Sequence, residues 1–387
     1  MTDNDRLLLP SSGITRRNII KAGGLGLAGL LGGASLLAAC GDDDDDTSAG
    51  GDGSGGGGGV DVVKAHLVSI GPSNDNGWSQ EHFRGFNEAK AALGDKLEIG
   101  FTPDVGFDAS TTQLFEQLVA DGNNIIFANT EYTDLLKTVS DANPDVFFAE
   151  TNGHAFTSNL FGYYLAHETT AYLMGVAAGL LTPNAKIGYI GAFPTATLFN
   201  DVNGLLLGAR SVNPSATVQV VQVNTFFDPQ AAAEAADALL SDGVEFLFGV
   251  MDEPTFLQKA EEAGVWTGYW NLDYREAAPT KYVNNFDLSA LGTFYTEQCQ
   301  AVLDGTWAPS SDVVLLDCPL GAWGDEVPQD VQDQVDAVAA QIASGELQVY
   351  AGPLVDTAGT ERVAEGESLD SKGAYAIDFA VEGVTGV

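Results

Sequence analysis

Val63-Lys64-Ala65-His66-Leu67-Val68-Ser69-Ile70, followed by Gly71-Pro72-Ser73-Asn74-Asp75-Asn76-Gly77 and then by Trp78-Ser79-Gln80-Glu81-His82-Phe83-Arg84-Gly85-Phe86, decides the fold. An apolar run closed by Gly and Pro is a buried strand, and apolar residues at helical spacing over 79–93 make the next segment a helix. The alternation continues with strands at 97–101, 125–128 and 146–149 and helices at 111–120 and 133–140. After a helix over 169–181 it restarts, with strands at 186–190, 218–223 and 246–250 and helices at 200–212, 229–241 and 256–263. Strand and helix in regular succession build a parallel sheet covered on both faces. Two such sets predict two α/β lobes, and the more than 300 residues after Val60 supply a core for each.

In open parallel sheets the loops leaving the carboxyl ends of the strands line the ligand crevice. Here those loops carry Asn74-Asp75-Asn76-Gly77-Trp78-Ser79-Gln80, Thr130-Glu131, Thr151-Asn152, Phe193-Pro194, Asn224-Thr225-Phe226-Phe227-Asp228, Met251-Asp252-Glu253 and Tyr269-Trp270-Asn271-Leu272-Asp273. Aromatic rings supply stacking area while amides and carboxylates supply directed hydrogen bonds, so this is the composition of a small-molecule site. Phe226 and Phe227 are adjacent and face opposite ways in an extended segment, which predicts one in the cleft and the other in the core. Asp228-Pro229 ahead of an alanine-rich helix reads as an N-cap followed by proline at the first helical position.

The chain begins with an address. Arg16-Arg17 precedes a Gly, Ala and Leu stretch that ends in Leu37-Ala38-Ala39-Cys40, which resembles a twin-arginine export signal with a lipoprotein cleavage site, Cys40 being the acylated residue. The Gly24-Leu25-Gly26-Leu27-Ala28-Gly29 pattern inside it follows no strand and is not a dinucleotide loop. Five aspartates and a Gly/Ser tract follow, with too little apolar surface to order, and read as a tether. The expected location is therefore extracytoplasmic, anchored to the cell membrane through lipid on Cys40.

The formal charge of −38 leaves no clustered Lys and Arg for phosphates, so nucleic acid is excluded as a partner. With Cys40 lipidated, Cys299 and Cys318 remain in an oxidising compartment, as a disulfide or as two buried thiols. His66, His82, His154 and His167 are isolated, and no zinc helix, nucleophile elbow or Walker loop occurs. No enzyme activity, cofactor or metal site is expected.

Asp75-Asn76-Gly77-Trp78-Ser79-Gln80, Ala171-Tyr172-Leu173-Met174-Gly175, Gly188-Tyr189-Ile190-Gly191-Ala192-Phe193-Pro194, Ser211-Val212-Asn213-Pro214 and Asn224-Thr225-Phe226-Phe227-Asp228-Pro229, in this order, resemble the basic membrane protein (BMP, PnrA-like) family of ABC-importer substrate-binding lipoproteins. The resemblance runs from about residue 62 to 307 and more loosely to 356. It implies a type I periplasmic-binding-protein fold, two doubly wound parallel-sheet lobes joined by a hinge of crossing strands. The corresponding partition is a leader over 1–40, a tether over 41–59, a first lobe of 60–166 plus about 277–311, and a second of 167–276 plus about 312–387.

It further implies closure on a purine nucleobase or nucleoside that is handed to an importer permease. Carried over by position, Trp78 is the stacking ring of the first lobe and Phe226 that of the second, with Trp270 in the late loop. Asp75, Gln80, Asp252, Asn271 and Asp273 are the polar contacts. Asn76 stands where nucleoside-binding members carry Lys, and Gly268 to Asp273 is closer to a Gly-Tyr-Asn-x-Asp loop, which brings a free base such as adenine into the range of ligands. A ligand-sensing surface receptor of the same fold and a binder of another small solute such as a sugar are the alternative readings.

Overall fold

The computed structural model describes residues 59–387. The first half-chain runs β1 (Val63–Ser69), α1 (Trp78–Leu93), β2 (Leu97–Thr102), α2 (Ala109–Ala120), β3 (Ile125–Asn129), α3 (Asp134–Ala142), β4 (Phe147–Thr151) and β5 (Leu160–Leu165). The second runs α4 (His167–Leu181), β6 (Lys186–Gly191), α5 (Ala196–Val212), β7 (Thr217–Gln222), α6 (Pro229–Ser241), β8 (Phe246–Gly249), α7 (Thr255–Ala263) and β9 (Trp266–Tyr269). Then come β10 (Tyr282–Asn285), α8 (Ala290–Leu303), β11 (Val314–Leu316) and α9 (Gln329–Ala343). The tail holds β12 (Tyr350–Ala351), β13 (Leu354–Val355), β14 (Glu361–Val363), β15 (Ser368–Leu369), α10 (Ser371–Ala374) and β16 (Val384–Thr385).

Two six-stranded parallel sheets form, β11-β5-β4-β3-β1-β2 and β10-β9-β8-β6-β7-β16. Every residue of Ile125–Asn129 and of Leu160–Leu165 is buried, as expected of strands with helices on both faces. The expected doubly wound two-lobed class is what the chain adopts.

The crossing points differ from the expected partition. Tyr282–Asn285 lies beyond residue 277 yet still pairs with β9 in the second sheet, and Val314–Leu316 lies beyond residue 311 yet pairs with β5 in the first. The reason is that α8 packs on α1 of the first lobe through Gly85, whose Cβ position lies 2.9 Å from Leu291 Cβ, while the strands on either side of α8 each finish an edge of a sheet. The crossing segments therefore run close to 286 and to 317.

In the second lobe α4 is buried almost all round because α5 lies directly against it. A Cβ on Gly208 would sit 1.9 Å from the Tyr172 carbonyl oxygen, and one on Gly175 would sit 2.2 Å from that of Leu205. Only glycine permits this approach of two helical backbones, and it fixes the middle of α4 against the later turns of α5. Asp228 accepts from the Gln230 and Ala231 N–H groups with Pro229 at the first helical position, which is the expected cap of α6.

Cys299 and Cys318 are free, buried thiols, the second of the two alternatives left open by the sequence. Each is enclosed separately, Cys299 on α8 and Cys318 in the crossing segment after β11, and burial pushes the Cys299 thiol up to about 12. Among the described residues no helix is long and apolar enough to cross a membrane. The leader, Cys40 and the tether through residue 58 lie outside the described residues.

Candidate functional site

The loops leaving the carboxyl ends of β1, β3, β4 and β5 meet those leaving β6, β7, β8 and β9 around a cleft of about 470 Å³. Five residues expected at the site line it: Trp78, Phe226, Asp252, Trp270 and Asn271. Trp78, at the start of α1, is held by donation from its Nε1 to Asn129 Oδ1. Its ring meets Trp270 edge-on, centroids 5.5 Å apart. On the other side Phe226 packs edge-on against Phe193 at 5.4 Å, and both belong to the cleft wall. The wall is thus aromatic from both lobes.

Three expected contacts are elsewhere. Asp75 is a capping group: its carboxylate accepts from the Gly77, Ser79 and Gln80 N–H groups at the start of α1, which uses both oxygens. Gln80 turns back to accept from the Asn76 N–H. Asp273 forms an ion pair with Arg275 at 2.6 Å on the surface. Phe227, expected in the core, is 58 % exposed because its segment is an outer loop, while Phe226 takes the cleft side as expected.

The cleft also recruits residues to which no ligand role had been given. Glu131 and Asn152 come from the loops after β3 and β4, Thr195 and Thr197 from the start of α5, Phe107 from the loop after β2, and His167 from the first turn of α4. Burial holds the Glu131 carboxyl above its usual range, with the neighbouring Asn152 opposing the shift. Glu150 behind it is fully buried, and burial raises it to about 7. His167 carried no motif, and only its position after β5 could have pointed to it.

The two lobes touch along one edge of the cleft. The Trp78 N–H donates to Asp252 Oδ1 at 2.8 Å, and the Tyr269 hydroxyl donates to the Asn76 carbonyl at 2.8 Å. A Cβ on Gly77 would lie 1.9 Å from Asp252 Oδ1 and 2.7 Å from its Cβ. Gly77, with φ −156° and ψ −135°, lies outside the extended region, so Gly77→Ala meets an obstacle in its own backbone as well as across the lobe boundary. We expect that variant to weaken ligand binding about fivefold, the cost of a modest overpacking. Its melting temperature without ligand should stay within a few degrees of the parent, as judged by titration calorimetry beside a thermal melt.

Burial, with the Asp75 carboxylate next in effect, pushes the Asp252 carboxyl up to about 8. The folded protein therefore keeps a proton there that the unfolded chain gives up near the ordinary value of 3.8. The contribution of Asp252 to stability is most favourable below the unfolded value and declines as pH rises toward the folded one. Asp252→Asn retains an acceptor for the Trp78 N–H and carries no charge. The melting temperature of this variant, minus that of the parent, should grow by several degrees between about pH 5 and pH 8.5. A gap that stays level with pH would contradict the buried proton.

The sequence model of the PnrA-like family of ABC transporter substrate-binding proteins matches residues 62–276. A purine-binding protein of Brucella abortus is 30 % identical over 329 residues, covering 83 % of this chain and 93 % of that protein. A putative ABC transporter glucose-binding protein of Haloferax volcanii is 33 % identical over 303 residues, covering 76 % and 75 %. Among solved structures, an ABC transporter solute-binding protein of Aeropyrum pernix superposes with a TM-score of 0.64 at 15 % identity, over 74 % of this chain and 92 % of that one. One from Conexibacter woesei gives 0.61 at 24 % identity, over 74 % and 98 %. At these identities the structural likeness speaks for the fold.

Proposed function

This chain belongs to the PnrA-like family of ABC-transporter substrate-binding proteins, and from that membership we propose that it captures a purine nucleobase or nucleoside outside the cytoplasm. The importer's permease is the partner that receives the ligand, and lipid on Cys40 tethers the protein to the membrane. The observation that carries the purine reading is the cleft wall itself, in which the edge-on pairs Trp78 with Trp270 and Phe226 with Phe193 line a space of about 470 Å³. The purine-binding relative, similar along most of both chains, agrees with it.

Flat heterocycles gain roughly 1 to 3 kcal/mol per aromatic face. The buried groups beside the rings, Asp252 and Asn271, then select among ligands, since a wrong solute leaves them unpaired. Closure follows from contacts made only when the lobes meet, of which the Trp78 to Asp252 hydrogen bond is one.

A sugar is the second reading, favoured by the Haloferax relative described as glucose-binding and by the ability of Trp rings to pack on sugar faces. A thermal-shift series with adenine, adenosine, guanosine and glucose separates the two. Stabilisation by a purine at concentrations where glucose has no effect is expected, and the reverse result gives the site to a sugar.

A further inference from the structure

His167 opens α4 at the point where the chain leaves the first sheet, and it is 2 % exposed in the cleft wall. Its Nδ1 lies 2.8 Å from Asp201 Oδ1. The other oxygen of the same carboxylate takes the Tyr189 hydroxyl at 2.5 Å and the Trp270 Nε1–H at 2.7 Å. Asp201 is itself fully buried and serves its other two neighbours as an acceptor, so the imidazole hydrogen that faces it belongs to Nδ1. In the neutral ring Nε2 is then a bare lone pair, and among the described residues no group donates to it.

A second buried acceptor in the same cleft is also without a partner. The Asn271 amide nitrogen donates to Asp252 Oδ1 at 3.2 Å, and Asn271 Oδ1 has no partner among the described residues. A buried acceptor lacking a hydrogen bond is costly, and two in one ligand-sized cleft mark where a ligand brings its donors.

Resting on the proposed solute-capture role of this cleft, we infer that His167 is a specificity-determining residue, accepting through Nε2 an N–H or O–H hydrogen of the bound solute, with Asp201 the positioning residue that fixes its tautomer. Asn271 Oδ1 is the companion acceptor. The cleft then favours ligands with hydrogens on the bound edge, such as the exocyclic amine of adenine, over ligands with a carbonyl there, such as hypoxanthine. Trp270 and His167 hang from one carboxylate, so the stacking ring and the acceptor are set in a single geometry.

The experiment is nitrogen NMR on the full chain labelled with ¹⁵N-histidine, titrated in turn with adenine, hypoxanthine, guanosine and glucose. The expected result is a His167 ring protonated on Nδ1 alone, with the Nε2 resonance moving as a binding ligand saturates the site. An unmoved Nε2 signal at saturation, or an Nε2 that carries a proton in the complex, overturns the inference.

Asp201→Asn supplies the second arm. The asparagine oxygen can still serve Tyr189 and Trp270 while its NH₂ faces Nδ1, which drives the hydrogen to Nε2 and turns that atom into a donor. The ratio of adenine to hypoxanthine affinity should fall about tenfold in this variant. Equal weakening of both ligands in a folded variant reduces Asp201 to a structural role and also overturns the assignment. Where Asp201→Asn fails to fold, the parent's spectrum alone decides. Binding of glucose instead of purines with a moving Nε2 signal removes the purine reading and keeps this one; a purine that binds without moving it does the opposite. Absence of binding by all four removes both.

Discussion

Trp78→Ala should weaken purine binding by roughly ten- to a hundredfold, the loss of one stacking face and of the area around it. Three observations make Trp78 the sensitive position. Its ring is half-buried in the cleft wall, so part of its face is left for a ligand. Its Nε1 donates to Asn129 and its edge meets Trp270, so it is held in place before a ligand arrives and little ordering entropy is lost on binding. Its backbone N–H, which makes the cross-lobe bond to Asp252, survives the substitution, so closure itself keeps that hydrogen bond. The loss should therefore appear as a faster dissociation rate with a nearly unchanged association rate. Calorimetry and stopped-flow fluorescence on the variant check this, and a dissociation constant equal to the parent's would assign Trp78 to packing alone.

The lobes and their sheets were legible because each β/α unit keeps its own period. Apolar runs such as Ile125–Asn129 and Phe246–Gly249, spaced by helices with an apolar face, have one way to bury themselves. Leu160–Leu165 escaped the sequence reading because it follows β4 with no helix between, so the alternation that betrayed the other strands is absent there. The segments that cross between lobes were placed several residues off for a related reason. Val314–Leu316 and Tyr282–Asn285 are short edge strands, and which sheet such a strand joins depends on tertiary pairing that no local pattern encodes.

At the site, aromatics were easier to place than carboxylates. Trp78, Phe226 and Trp270 follow strands at the carboxyl edge, where large rings gain by facing the cleft. A loop aspartate has two uses. Asp75 and Asp273 went to a helix cap and a surface ion pair, whereas Asp252 went to the cleft; the difference lies in whether three N–H groups or an arginine happen to be near, which only the folded chain shows. The free cysteines follow the same logic, since two thiols bridge only if the fold presents them to each other.

Asp201→Ala should be the most damaging single substitution for stability in the second lobe. One carboxylate there satisfies His167, Tyr189 and Trp270, and all four side chains are buried. Removal strands three donors in the interior, each costing about 1 to 3 kcal/mol if nothing replaces the acceptor. Water entering the space vacated by the carboxylate recovers part of this, so a net loss of about 3 to 5 kcal/mol is expected, in line with breaking a buried hydrogen-bond network. For a chain of this size that corresponds to a fall in melting temperature of about 4 to 7 °C. The substitution acts on binding as well, because the same carboxylate aims the Trp270 ring and the His167 imidazole into the cleft. A loss confined to stability would mean that packing alone orients those two rings, since Trp270 also lies 5.5 Å from Phe286 and His167 lies 5.1 Å from Trp270. A loss of both, with Asp201→Asn keeping most of the melting temperature, is what the shared hydrogen-bond acceptor requires; a drop smaller than about 2 °C in Asp201→Ala would show that the three donors find other partners and that the carboxylate does not organise the site.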